Sequence, residues 1–123
     1  MASVSEGRRV LDNAMSEKEF QSLVIELAKR TGWLCHHQTI PYRVGRDGKP
    51  RAIVEPNTDR GFNDLVLVHQ ARGLTVFPEL KRIGGRLSAD QQRWGDALLA
   101  CGLDWRVWFP SDWDEIVALL KGE

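Results

Sequence analysis

Two apolar runs set the terms on which this chain can fold. Leu65-Val66-Leu67-Val68 and Leu74 to Leu80 are separated by a short stretch containing Arg72-Gly73. The first run alternates Leu with β-branched Val over too few residues for a helix, which predicts a central strand buried on both faces. The second is expected to pair with it through the Arg72-Gly73 turn. Asp64 opens the first run, and Glu79 stands near the end of the second, in the triplet Glu79-Leu80-Lys81. Strand residues two apart share a face, so Glu79 and Lys81 project together, about 7 Å apart. If the strands pair antiparallel, Asp64 lies near Glu79. Two carboxylates and an ammonium in one patch stabilise a sheet poorly, but they suit a divalent cation beside a proton carrier. Pro78 cannot donate to a ladder, so regular pairing is expected to break where Glu79 must be aimed.

The remaining elements fall around these strands. Ser16 reads as an N-cap, with Glu19 completing a capping box, and Phe20, Leu23, Val24 and Leu27 repeat at helical spacing up to Gly32. Trp33 to Gln38 reads as a short strand with Leu34 and Cys35 facing the core. Residues 39–60 interrupt the pattern with Pro41, Gly45, Asp47-Gly48, Pro50 and Pro56, and read as an inserted excursion. Asp47-Gly48 can close a hairpin between Tyr42-Arg43-Val44 and Arg51-Ala52-Ile53-Val54. Ser88 caps a helix running to about Ala100, with Leu87, Trp94, Ala97, Leu98 and Cys101 available for its core face. Trp105 to Phe109 reads as a strand, and Ser111 as the cap of a last helix carrying Trp113, Ile116, Val117 and Leu120. The expected order is αβββαβα around a central mixed sheet, in a single domain over residues 15–123 behind a flexible leader at 1–14.

Composition bounds the function. The chain has 123 residues, 42% hydrophobic and 28% charged, enough for one buried core. The formal net charge is +0, so any nucleic-acid contact must come from a local patch. Cys35 and Cys101 lie among apolar neighbours and are expected to be buried, reduced thiols; their spacing suggests no zinc site. No apolar run reaches the length of a signal peptide or a membrane span, which predicts a cytoplasmic protein.

The order and the motifs together resemble the PD-(D/E)XK nuclease superfamily, and within it the small virus-type replication-repair nuclease (VRR-Nuc) domains of bacteriophages and DNA-repair proteins. The resemblance spans about Ser16 to Leu120. It rests on Ser16-Glu17-Lys18-Glu19-Phe20-Gln21, Gly61-Phe62-Asn63-Asp64, Glu79-Leu80-Lys81 and Gln91. It implies a restriction-endonuclease-like three-layer αβα core and a metal-dependent DNA endonuclease, with junctions and flaps among the DNA structures it could act on. Asp64, Glu79 and the Leu80 backbone carbonyl would hold Mg²⁺ or Mn²⁺, Lys81 would position the attacking water, Glu17 would be the first-helix acid, and Gln91 an accessory contact. Glu17 is preferred to Glu19, which has the capping role open to it. The family usually has Pro before the Asp, where this chain has Asn63.

The residue types fit that chemistry. Carboxylates bind hard cations, and phosphodiester hydrolysis needs an activated water and charge neutralisation. Arg43, Arg46, Lys49 and Arg51 on the excursion, with Arg82 and Arg86 after the motif, are the local supply of phosphate contacts. DNA is therefore the expected partner, with no organic cofactor and no membrane. One domain holds one site, so cutting both strands would be easiest for a homodimer. Blander readings stand beside these: Glu79 and Lys81 as a surface ion pair, Glu17 as a helix-dipole residue, the arginines as a solvated loop. A non-catalytic DNA-binding or assembly module of the same fold is the alternative function.

Overall fold

The computed structural model describes residues 11–38, 42–52 and 60–123. Its elements are α1 (Glu17–Arg30), β1 (Leu34–His37), β2 (Tyr42–Val44), β3 (Pro50–Ala52), β4 (Leu65–His69), β5 (Leu74–Leu80), α2 (Ala89–Ala100), β6 (Asp104–Trp108), a 3-10 turn (Pro110–Asp112) and α3 (Trp113–Lys121). Residues 11–14 form a further helical turn, within what the sequence suggested was a loose leader; residues 1–10 of that leader lie outside the described residues. With β2 and β3 set apart as a hairpin, the order is the expected αβββαβα.

Four strands form one mixed sheet in the order β1-β4-β5-β6. β4 pairs antiparallel with β1 and with β5, and β5 pairs parallel with β6. A parallel pair needs a crossover, and α2 supplies it between β5 and β6. Alternation along the strands then separates two faces. On one face Leu65, Leu67, Val76, Leu80 and Trp108 bury against Phe20, Val24 and Ala28 of α1 and Ile116 and Leu120 of α3. Phe20 is fully buried, and a side chain of that size contributes roughly 2–3 kcal/mol by leaving water. The other face, carrying Glu79 and Trp105, lies under α2. There Gly95 is buried against the Trp105 indole, and a Cβ at that position would run into the ring.

The helices form where their caps predict. Ser16 Oγ accepts from the Glu19 N–H at 3.1 Å, and beyond the end of α1 at Arg30 the chain turns at Gly32, with φ +91°. Ser88 and Gln91 make a full capping box at the start of α2. The last helix differs from expectation. Phe109 N–H donates to Asp112 Oδ2 at 2.9 Å, and Asp112 rather than Ser111 is the residue that precedes α3. Pro110 opens a 3-10 turn there because its ring presets the backbone dihedral. Trp33 Nε1 donates to the Leu120 carbonyl at 2.9 Å, and Arg72 Nη1 to the Leu119 carbonyl at 3.0 Å, tying the β1 and β4–β5 corners to the end of α3.

Several core expectations fail for one reason, edge position. Leu34 is 70% exposed because it shares the Val68 and Glu79 face of the sheet at the β1 edge, whereas α2 packs over that face at β6, the opposite edge of the described sheet. Leu23 is exposed on the outer flank of α1, and Ala97 and Cys101 on that of α2. Cys35 is half-buried, and both cysteines are free thiols. No helix among the described residues is long and apolar enough to cross a membrane.

Candidate functional site

The site end of the sheet is where β4 and β5 part. Their ladder runs from His69↔Leu74 to Leu67↔Val76 and stops there, two residues before Pro78. The parallel ladder from β5 to β6 continues through Pro78↔Arg106 and Glu79↔Val107 to Leu80↔Trp108. The interruption expected at Pro78 is therefore one-sided. Continuing the β4–β5 register places Asp64 opposite Glu79 and on the same face. On its other side the Asp64 carbonyl accepts the Gln38 N–H at 2.9 Å, which fixes the Asp64 main chain against the end of β1.

Glu79 is the unusual member. It is 2% exposed, yet it stands on the sheet face away from the main core. Its Oε1 accepts from Gln91 Nε2 at 2.8 Å. Its Oε2 is buried and has no hydrogen-bond partner among the described residues. Burial pushes the carboxyl up to about 7, the nearby Asp64 and Glu17 carboxylates push the same way, and Lys81 opposes them. Asp64 is exposed along one side, but protein around its carboxyl raises it as well, against the pull of His37 and Lys81. The two acids and Lys81 therefore sense one another's charge.

Gln91 owes its orientation to the helix it starts. Its Oε1 accepts the Ser88 N–H at 2.9 Å while Ser88 Oγ accepts the Gln91 N–H at 3.1 Å. With the amide oxygen engaged by the cap, the amide nitrogen is presented to Glu79. The same turn of α2 holds the loop that leads to Asp64. Trp94 Nε1 donates to the Arg60 carbonyl at 3.1 Å, and its ring meets Phe62 edge-on at 4.8 Å. Gly61, at φ +88°, lies so close to the Asp90 backbone that a Cβ would collide with it.

The sequence-predicted residues divide into two groups. Asp64, Glu79, Lys81 and Gln91 converge, and Glu17, half-buried at the start of α1, is near enough to act on Glu79. Glu19 is exposed, and Glu17 is the first-helix acid whose charge acts on the Glu79 carboxyl, which favours Glu17 as the acid on this side. Leu80 turns its side chain into the core while its backbone stays between Glu79 and Lys81. Arg43, Arg46, Lys49 and Arg51 are exposed on the separate β2–β3 hairpin, where Arg51 pairs with Asp47 at 2.6 Å. Arg82 and Arg86 are exposed on the loop after β5. Sequence reading missed that Gln91 serves cap and carboxylate at once; the Ser88-x-x-Gln91 spacing was the available signal. It also missed the influence of His37 on Asp64, which no local pattern carries.

Among the described residues no three His, Cys, Asp or Glu side chains form a ready-made metal cluster. Two carboxylates are nevertheless an adequate set for Mg²⁺, which keeps several waters and takes one or two protein carboxylates. The buried Glu79 Oε2, without a partner among the described residues, is the atom such an ion would satisfy. No protein-family model, curated protein or solved structure matches the chain.

Proposed function

We propose that the chain is a divalent-metal-dependent DNA endonuclease of the PD-(D/E)XK type, its sheet and helices forming a restriction-endonuclease-like αβα core. The observation that carries this reading is Glu79 Oε2, buried without a hydrogen-bond partner among the described residues, beside Asp64 and Lys81. A structural role alone gives no reason to bury a carboxylate next to a second carboxylate and leave one of its oxygens unmet.

In this reading Asp64 and Glu79, with the Leu80 carbonyl, would hold Mg²⁺ or Mn²⁺, which when bound would supply Lewis acidity and an acidified water. Lys81 would donate to a phosphate oxygen and orient the attacking water against it. Gln91 keeps Glu79 Oε1 occupied so that Oε2 is the free donor atom, and Glu17 adds negative field at the rim. Arg43, Arg46, Lys49, Arg51, Arg82 and Arg86 contact the phosphate backbone. A homodimer would bring two such sites to one duplex or junction.

Purified protein should nick or cut DNA with Mg²⁺ or Mn²⁺ and lose that activity on chelation. Asp64→Ala and Glu79→Ala should each reduce the rate by about 10³-fold, the scale of removing a group that stabilises the transition state. Circular dichroism should show both variants folded. Undiminished cleavage by both would end the assignment. Salt-sensitive DNA binding with no cleavage of duplex, flap, junction or single strand would instead identify a non-catalytic DNA-binding module.

A further inference from the structure

Asn63 stands where the two carboxylate-bearing strands separate. Its side chain is fully buried, at 0% exposure. Nδ2 donates to the Phe77 carbonyl at 3.1 Å, and Oδ1 has no partner among the described residues. Past Leu67↔Val76 the ladder between β4 and β5 has ended, and Pro78 has no N–H with which to extend it. The Asn63 amide makes a side-chain hydrogen bond that joins the two chain segments at this end, immediately before Asp64 and two residues before Glu79.

We propose that Asn63 is a positioning residue, an amide strut across the open end of the β4–β5 pair that fixes the separation of Asp64 and Glu79 for one divalent cation. The proposal rests on the metal-dependent reading above. Three supports fix the rest of the site: Gln38 N–H holds the Asp64 carbonyl, β6 holds the Glu79 backbone, and Gln91 holds Glu79 Oε1. Each acts on one carboxylate alone. The Asn63 bond ties the segment that carries Asp64 to the segment that carries Glu79, and the distance between ligands governs how well a cation of fixed radius is bound. Packing does not account for the amide. A buried side chain with one polar atom unmet is a costly filler, because the partnerless amide oxygen carries a desolvation penalty that an apolar side chain would not. The strut also accounts for Asn at this position, since a Pro there would have no side-chain donor for the Phe77 carbonyl.

The test uses metal-free full-length protein titrated with Mn²⁺ alone, free Mn²⁺ being read by electron paramagnetic resonance, so that no turnover is involved. Asn63→Leu fills the space without the donor, and Asn63→Ala is the second variant should Leu not fold. Amide hydrogen exchange at Leu65 and Val66, against Val68 and Thr75, reports on the strut separately. The expected result is a Kd for Mn²⁺ raised about 10-fold or more, the usual range for residues that hold metal ligands in place. Exchange should speed up at Leu65 and Val66 and stay unchanged at the far end of the ladder. Wild-type affinity in a folded variant overturns the proposal, even if its stability or exchange has changed. If the wild-type chain binds no Mn²⁺, the metal-dependent reading fails instead. Unchanged exchange at Leu65 and Val66 would then remove the strut as well, and faster exchange there would keep it as a strand tie.

Discussion

Leu80 and Glu79 are neighbours on β5, both almost fully buried, and they face opposite kinds of interior. Leu80 joins Phe20, Val24, Trp108 and Ile116 in a continuous apolar layer. Glu79, one residue earlier and pointing the other way, has an unmet oxygen and two further acids within electrostatic reach. One side of the sheet gains stability from everything placed on it. The other keeps a group that destabilises the fold whenever it is ionised and alone. A single strand can serve both because side chains alternate while the backbone ladder to β6 is shared. The rigidity that aims Glu79 is thus supplied by the layer behind it.

That contrast can be broken from either side. On the apolar face, Phe20→Ala should cost about 3–5 kcal/mol in urea unfolding, the range for emptying a core aromatic position. A cost below about 1 kcal/mol would show that this layer does not support the sheet.

On the acidic face the sign reverses. The Glu79 carboxyl is raised from 4.5 to about 7 in the folded chain, so between those values the folded state holds a proton that the unfolded state has released. Stability from this group is complete below the unfolded value and is lost as pH rises through about 7. The loss is on the order of 3 kcal/mol. Glu79→Gln should abolish it. In metal-free unfolding curves the variant should gain on the wild type as pH rises, and saturating Mg²⁺ should restore the wild type. A difference that does not change with pH would contradict the origin given for the shift.

A sharper comparison lies within α2, where one residue serves both helix and site. Gln91→Glu keeps the capping-box acceptor but replaces the donor to Glu79 with an oxygen, so Mn²⁺ affinity should change about 10-fold while the first turn of α2 keeps its amide-exchange protection. Ser88→Ala does the reverse. It should cost about 1 kcal/mol of stability and leave Mn²⁺ affinity of the folded protein unchanged, because the backbone N–H that orients Gln91 remains. Equal effects on both properties in both variants would mean that cap and carboxylate are not separable.

The fold was legible where local signals agree with tertiary demands. The β4 and β5 boundaries follow the apolar runs, and Ser16 and Ser88 cap the helices that their spacing suggested. What local sequence does not encode is which edge of an element meets water. Leu23, Leu34 and Cys101 are apolar residues that the pattern places inward and the architecture leaves outside. The convergence of Asp64, Glu79 and Lys81 could be argued from strand period alone. The Asn63 bond to Phe77 could not, since it spans 14 residues and depends on a ladder ending early.

The ladder arrangement also bears on synthesis. Pro78, Glu79 and Leu80 take their strand partners from Arg106, Val107 and Trp108, and none from β4. A nascent chain that has emerged only as far as α2 would carry both acids of the site with the Glu79 segment still without its ladder. The buried setting of Glu79 is therefore complete only once β6 has left the ribosome and paired with it.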